Sequence, residues 1–498
     1  MIAFGSAAAS ADVFSDLYAF TGSDSAYQQG PLIVDAGGNL FGTSPYGGRP
    51  GQGSVFELPP GGNGVSLQVL YEFTGGSDGA QPFGGLVSDP AGNLYGVASA
   101  GGTTGNGTVF ELVRSGSVFT FQVLYQFSGD ADGGGPVGTL VIDTGGILYG
   151  TTEKGGAGGS GTVFSLSPGE SGFVLTTLHA FSSTSSGVNA DGAQPGAPLL
   201  LDELGTLFGT TQLGGPSADG VVFALVPGPS GYRFSVVHAF DGTDGMTPMA
   251  GLIEDRGGDL FGTTSGDPAI ARWGTVFELE NRRGTYAFHT LHTFTDGTDG
   301  ATPISILTFG PAGDLFGTAS AGGAADAGTI FDLYPSTSDF TFRALYDFTA
   351  GFDGATPASG LVFGPDGRLY GDTVFNGFFG WGTIFAYTPP PTAAAQIVRI
   401  AAPAPVAIDL AASDPALSGA AFTFAIVSPP AHGALSPISG ASVTYTPNGS
   451  FAGTDTFTFT ATDASGTSNP AAVTIALDAP AKRRVVPAAP APPAAIGR

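Results

Sequence analysis

The sequence has no cysteine, few basic residues and little charge of any kind. Without cysteine there are no disulfides, no zinc–thiolate sites and no cysteine nucleophile. Lys and Arg total 15 against 41 Asp and Glu, so the 498 residues carry a net charge of −26. Nucleic acids and anionic membranes are bound through Lys and Arg, so neither is an expected partner. Charged residues make up 11% of the chain, against about 25% in an ordinary globular domain. No apolar run approaches the roughly 20 residues of a membrane-spanning helix, and no transmembrane segment is expected. The first residues, Met1–Ala11, are small and apolar and end in Ala9-Ser10-Ala11, which has the look of a signal-peptide cleavage site. The charged leader is missing, so residues 1–12 read as a clipped signal peptide or a disordered start.

Glycine and proline are abundant, at 83 and 37 residues. Without a period that content points to disorder. Here it is periodic. Leu-Phe/Tyr-Gly recurs at Leu40, Leu94, Leu148, Leu207, Leu260, Leu315 and Leu369, in steps of 53 to 59 residues. Each copy is followed by Val/Ile-Phe, as at Val55-Phe56 and Ile384-Phe385. A third string, such as Leu70-Tyr71-Glu72-Phe73 or Leu291-His292-Thr293-Phe294, also occurs seven times and begins at Leu17. A fourth is an Asp eight residues before a Leu: Asp24, Asp78, Asp132, Asp191, Asp244, Asp299 and Asp353.

Each repeat therefore holds four short segments rich in Val, Phe, Tyr and Leu, separated by turn residues. In the second repeat they fall at 85–88, 93–98, 108–112 and 119–127. This is the strand-and-turn pattern of an all-β chain. Four strands in about 54 residues match one propeller blade. The expected fold is a seven-bladed β-propeller of four-stranded blades over residues 13–388. The first recognisable segment is an outer strand, and the last copy lacks one. The N-terminal strand is thus expected to close the ring and cover an edge that would otherwise be open.

Repeats of the form LYxF…DGAxP…GL…GNLYGTTxxGG…GTVFEL resemble the Gloeo/Verruco (GloVer) tandem repeat over residues 14–389. The resemblance implies a secreted or surface bacterial protein, extracellular in location. It brings no established activity and no catalytic residues. Copy one departs with Ser25 and Gln28, and copy four carries an insertion near 182–190.

The run Pro389-Pro390-Pro391 breaks the pattern, and residues 389–396 read as a semi-rigid linker. From 397 to 479 the apolar residues alternate, for example in Phe457-Thr458-Phe459, as in a small β-sandwich. Pro430-Ala431-His432-Gly433, Tyr445-Thr446-Pro447 and Gly453-Thr454-Asp455 resemble bacterial Ig-like or cadherin-like modules. That resemblance implies a spacer or adhesion role. Some such modules hold calcium through clustered Asp, but only Asp414 stands at that place here. The Pro/Ala-rich tail, 480–498, reads as disordered.

Two sets of side chains are candidates for a site. The interblade Asp residues, with Asp130 beside them, would gather carboxylates on one face and offer calcium its oxygen ligands. The candidate metal set is Asp78, Asp130, Asp132, Asp191, Asp244, Asp299 and Asp353. The alternative is turn chemistry, since six of the seven repeated Asp residues precede Gly. The loop of repeat seven holds Phe375, Phe378, Phe379 and Trp381, and Trp273 has the same position in repeat five. Such rings stack on the apolar faces of sugars. They serve equally to pack the seam between blades. His179, His238 and His292 fill a Tyr slot and read as packing. The G-x-S-x-G string at Gly75 and the G-x-G-x-x-G string at Gly156 lack the following helix that their chemistry requires. The leading expectation is a monomeric, non-enzymatic binding or adhesion module for glycan or another surface ligand, with calcium as a possible cofactor. The rivals are a propeller-based polysaccharide lyase or glycosidase and a structural matrix component.

Overall fold

The computed structural model describes residues 13–477 except 62–64, 171, 336–339, 418 and 449–452. The signal-peptide reading of 1–12 and the tail 480–498 lie outside the described residues. The chain divides into two compact units, Asp12–Pro389 and the part from Pro390 onward. Both are built of strands. Among the described residues the one helical segment is a single 3-10 turn at Pro268–Ile270, and no helix is long and apolar enough to cross a membrane.

Among the described residues of the first unit the strands form seven four-stranded antiparallel sheets, one per repeat. In the second repeat the strands are Val87–Ser88, Leu94–Ala98, Thr108–Ser115 and Val118–Gln126, innermost to outermost. The second strand is buried along its whole length, because both faces of the sheet are covered by neighbours. The outermost strand alternates exposed and half-buried residues.

The recurrent strings now have physical causes. The Gly of Leu-Phe/Tyr-Gly lies opposite the Phe of the third strand, as Gly209 does Phe223. A Cβ on Gly209 would sit 2.5 Å from the tip of the Phe223 ring. The apolar residue that opens the third string is a bulge: the register between third and outer strands slips after Val109 so that Leu124 is left over. The Phe that ends the third string meets the next sheet edge-on. Phe73 contacts Phe110 at 5.3 Å, Phe181 contacts Phe223 at 5.4 Å, and Phe348 contacts Phe385 at 5.4 Å.

The seventh sheet takes its outer strand from the N-terminus. Phe14–Ala19 pairs antiparallel with Thr383–Tyr387, and its register slips at Leu17 as the others do. Phe20 then meets Phe56 of the first sheet at 5.5 Å, the same contact as between the other neighbours. A cavity of about 340 Å³ is lined by the innermost segments of all seven repeats, among them Gly30, Gly84, Gly138 and Gly251.

The second unit has two main sheets that share one apolar core. The larger holds Gln396–Ile400, Ala471–Leu477, Gly453–Thr462 and Thr423–Ser428, and its first pair is parallel. The smaller holds Val406–Asp409, Ser442–Pro447 and Gly433–Leu435. Tyr445, Phe457, Phe459, Val473 and Ile475 fill the space between them. The stretch 389–396 is less of a linker than its prolines imply. Thr392–Ala393 pairs with Ala412–Ser413, and the next strand opens at Gln396. Beyond Pro391 the backbone N–H groups are free to join a ladder.

Candidate functional site

The repeated Asp follows the outermost strand and folds back onto it. Tyr71, Tyr125 and Tyr346 donate to Asp78, Asp132 and Asp353 at 3.0 Å each. Tyr18 donates to Asp24 in the same way. His179, His238 and His292 meet Asp191, Asp244 and Asp299 at 3.1, 2.8 and 3.1 Å. The turn itself uses the remaining lone pairs: the amide and hydroxyl of Thr74 donate to Asp78 at 2.8 and 2.5 Å. Burial pushes the Asp78 carboxyl up, but Thr74 and the Tyr71 phenol together hold it below the usual carboxylate range. Asp132 is lowered in the same way by Ser128 and Tyr125. Burial, with the bond to Asp78, pushes the Tyr71 phenol up to about 12.

Each of these carboxylates is thus a lock between a strand and its following turn, one per repeat. Asp130 uses its amide and carbonyl instead, bonding Ser128 Oγ and the Gly156 amide. Among the described residues no group of three or more His, Asp or Glu is placed to hold a metal ion. The second Asp family also serves turns: Asp35 Oδ1 accepts the amides of Gly37 and Asn39, and Asp89 does the same for Ala91 and Asn93. The Gly75 motif is a turn closed by Gly75 N–H donating to Gly79 O at 3.1 Å.

The His slots carry a pH consequence. His179 stacks on Phe234 at 3.8 Å and His292 on Phe342 at 3.9 Å. Burial lowers both imidazoles, only partly offset by Asp191 and Asp299. Below the unfolded value of about 6.5 the unfolded chain binds the proton more readily, so this stability is present above that pH and lost as pH falls. Asp16 and Asp372 act in the opposite sense. Burial, joined by Asp353 for Asp16, pushes them to about 6 and about 7. Their contribution is full below the unfolded value of 3.8 and lost as pH rises through those values. His179→Tyr, which installs the residue of four other repeats, isolates the first effect. Its melting temperature is expected to gain on the native chain progressively between pH 7.5 and 5. A gap independent of pH contradicts the assignment.

The aromatic residues of repeat seven fall into two groups. Phe378 and Phe379 are 66% and 52% exposed, and Phe352, 68% exposed, stacks on Phe378 at 5.7 Å. Phe378 and Phe379 meet edge-on at 4.8 Å. Phe375 and Trp381 instead turn towards the first repeat, where Tyr27 contacts them at 5.4 and 5.1 Å. The Trp381 carbonyl accepts the Tyr27 amide at 3.3 Å, and its indole covers Gly22. Tyr27 also meets Tyr46 at 6.1 Å. These rings form one partly exposed surface across the junction of repeats seven and one. Trp273 is not part of it: it packs against the core between repeats five and six, and its carbonyl accepts the Thr302 amide at 2.7 Å. The sequence reading overlooked Phe352, Tyr27 and Tyr46. Phe352 had left a signal, since it fills the slot before the repeated Asp where other copies carry Ser, Ala or Thr.

A family model described as the Gloeobacter/Verrucomicrobia repeat matches residues 6–121, 63–271 and 258–419, and a bacterial Ig domain model matches 388–476. No curated protein matches the chain. Among solved structures, a protein of unknown function from Dyadobacter fermentans is 13% identical, covering 75% of this chain and 98% of its own, at a TM-score of 0.37. Trypanosoma rangeli sialidase is 11% identical over 76% of this chain and 60% of its own, at 0.38. An alpha-L-arabinofuranosidase of Clostridium thermocellum is 9% identical over 53% and 93%, at 0.30. Likenesses this weak carry no argument about what this chain does.

Proposed function

The chain belongs to the Gloeobacter/Verrucomicrobia repeat family, and from that membership we propose that it is a bacterial surface protein whose seven sheets are the blades of a closed β-propeller that binds glycan without cleaving it. The carrying observation is the exposed cluster Phe352, Phe378 and Phe379 beside the Tyr27–Trp381 junction. Stacked and edge-on rings left in water offer flat apolar faces to the C–H faces of sugar rings, and contiguous exposed apolar surface of this kind marks interaction sites. The Ig-like unit acts as a spacer.

The loop carboxylates support binding over hydrolysis. Hydrolysis needs two acids with opposed environments about 5–10 Å apart. Here the interblade Asp residues do one repeated job, bonding the Tyr or His of their own strand. In this reading they need no calcium.

The test is a thermal-shift screen of the full chain against soluble polysaccharides, with and without EDTA, followed by product analysis of any hit. One glycan class is expected to raise the melt, because a ligand that prefers the folded state stabilises it. EDTA is expected to leave the melt unchanged, and the glycan chain length should stay constant. Absence of any shift sinks the glycan reading. Released oligosaccharides make the protein an enzyme, and a melt that drops with EDTA restores calcium to the Asp set.

A further inference from the structure

The cavity at the centre of the seven repeats is not symmetric, although the segments that line it are equivalent. The position filled by Phe83, Val137, Met249 and Ile304 is glycine at 196, and the loop position that carries Ser99, Ser265 and Ser320 carries Glu153 and Gln212. The missing side chain and the two long polar ones meet. A Cβ on Gly196 would sit 2.7 Å from Gln212 Nε2 and 2.9 Å from Glu153 Oε1. In five of the other six repeats the position carries an apolar side chain, Ala358 being the smallest, and in repeat one it carries Gln29. In repeats three and four the space is a polar notch in an otherwise largely apolar wall.

Neither polar side chain is spent on the fold. Among the described residues there is no hydrogen bond or ion pair to the carboxylate of Glu153 or the amide of Gln212. Their backbones alone are tied, Glu153 N–H to Gly135 O and Gln212 N–H to Gln194 O. Burial pushes the Glu153 carboxyl up, with Lys154 pulling the other way. Such a carboxyl gains from hydroxyl donors that replace lost water. A concave, mainly apolar space of a few hundred cubic ångströms with a few converging polar groups is the usual form of a small-molecule site.

We infer that this cavity is a binding site for a single hydroxylated ring, a monosaccharide or cyclic polyol. Ring hydroxyls bond to Glu153 and Gln212 at the Gly196 notch, and the C–H face lies on Phe83, Met249 and Ile304. Glu153 supplies acceptors only, whereas Gln212 supplies both donors and an acceptor, a combination that suits hydroxyl groups. The cavity is lined by the repeat segments alone and does not depend on the aromatic cluster or on glycan binding there.

The test is isothermal titration of the full chain with a panel of neutral monosaccharides, an amino sugar and inositol. At least one neutral ring is expected to bind saturably. Gly196→Val, which installs the residue that repeat three carries at Val137, is expected to abolish that binding while melting like the native chain. The backbone at 196 is not in the left-handed region, and the two closest atoms that must shift are the ends of the Gln212 and Glu153 side chains, with the Val137 methyl at 3.2 Å. Glu153→Gln removes a charged acceptor and is expected to weaken binding roughly tenfold; it also carries the test if Gly196→Val misfolds. Phe378→Ala is expected to leave the affinity for that ring unaltered although it weakens polysaccharide binding at the aromatic cluster, which separates the two sites. Failure of every neutral ring to bind, binding confined to the amino sugar, or affinity unaltered in Gly196→Val or Glu153→Gln overturns the inference.

Discussion

A chain lacking residues 1–20 is expected to lose cooperative folding and to aggregate. The strand Phe14–Ala19 is one edge of the seventh sheet. Phe14 stacks on Tyr346 at 4.2 Å and on Phe385 at 5.3 Å, and Leu17 and Phe20 are buried. Three large apolar side chains at about 2 kcal/mol each amount to roughly 6 kcal/mol. That rivals the whole stability of an ordinary domain, about 5–15 kcal/mol. The truncation also strips the ladder from Thr383–Tyr387, leaving an unpaired apolar edge open to other chains. Far-UV melts and light scattering read the result. A monomeric truncated chain that melts with the native one would mean that the N-terminal strand closes nothing.

Gly209→Val is the second large effect. The glycine sits mid-strand between Phe223 and Leu199, whose atoms would lie 2.5 and 2.9 Å from a new Cβ. The same approach recurs at Gly42, Gly96, Gly150, Gly262, Gly317 and Gly371, so this is a designed close contact rather than a loose spot. Overpacking of this kind costs about 1–3 kcal/mol, and more where the displaced ring has nowhere to go. Phe223 is completely buried and already touches Phe181 and Phe234, so little room remains. Trimming the ring in Phe223→Leu should cost less in the Gly209→Val background than alone. That non-additivity is what a direct contact predicts, and strict additivity contradicts it.

The sheets were legible because their cause is local. A Leu-Phe/Tyr-Gly string in each repeat reports the close Gly–Phe approach, and its spacing counts the repeats. The third strand of repeat seven ends at Tyr387, and the N-terminal Leu17 string belongs to an outer strand, so the pairing of the two followed from what each lacked. Strand ends were less legible, since the innermost strand is two residues long where the pattern implies four. In the second unit the parallel pairing of Gln396–Ile400 with Ala471–Leu477 left no trace in an alternating apolar pattern, which fixes faces but not partners.

The candidate site was legible in part. The repeated Asp was visible, but not its partner. Tyr71 and Asp78 are seven residues apart, and the insertion puts His179 and Asp191 twelve apart, so no fixed spacing marks the pair. The aromatic loop of repeat seven was visible as composition. Its division into an exposed cluster and a junction was not, because Phe352 and Tyr27 come from other loops and from the far end of the chain. Trp273 and Trp381 share a repeat position and a backbone role, yet different neighbours surround them.

In the proposed function the exposed rings of repeat seven hold glycan. Affinity electrophoresis of the full chain in gels cast with the polysaccharide that raises its melt tests that binding. The comparison is with the triple variant Phe352→Ala, Phe378→Ala and Phe379→Ala. These side chains are mostly in water, so the variant is expected to melt as the native chain does and to lose its retardation at least tenfold. Retardation that survives intact in a folded triple variant contradicts the claim.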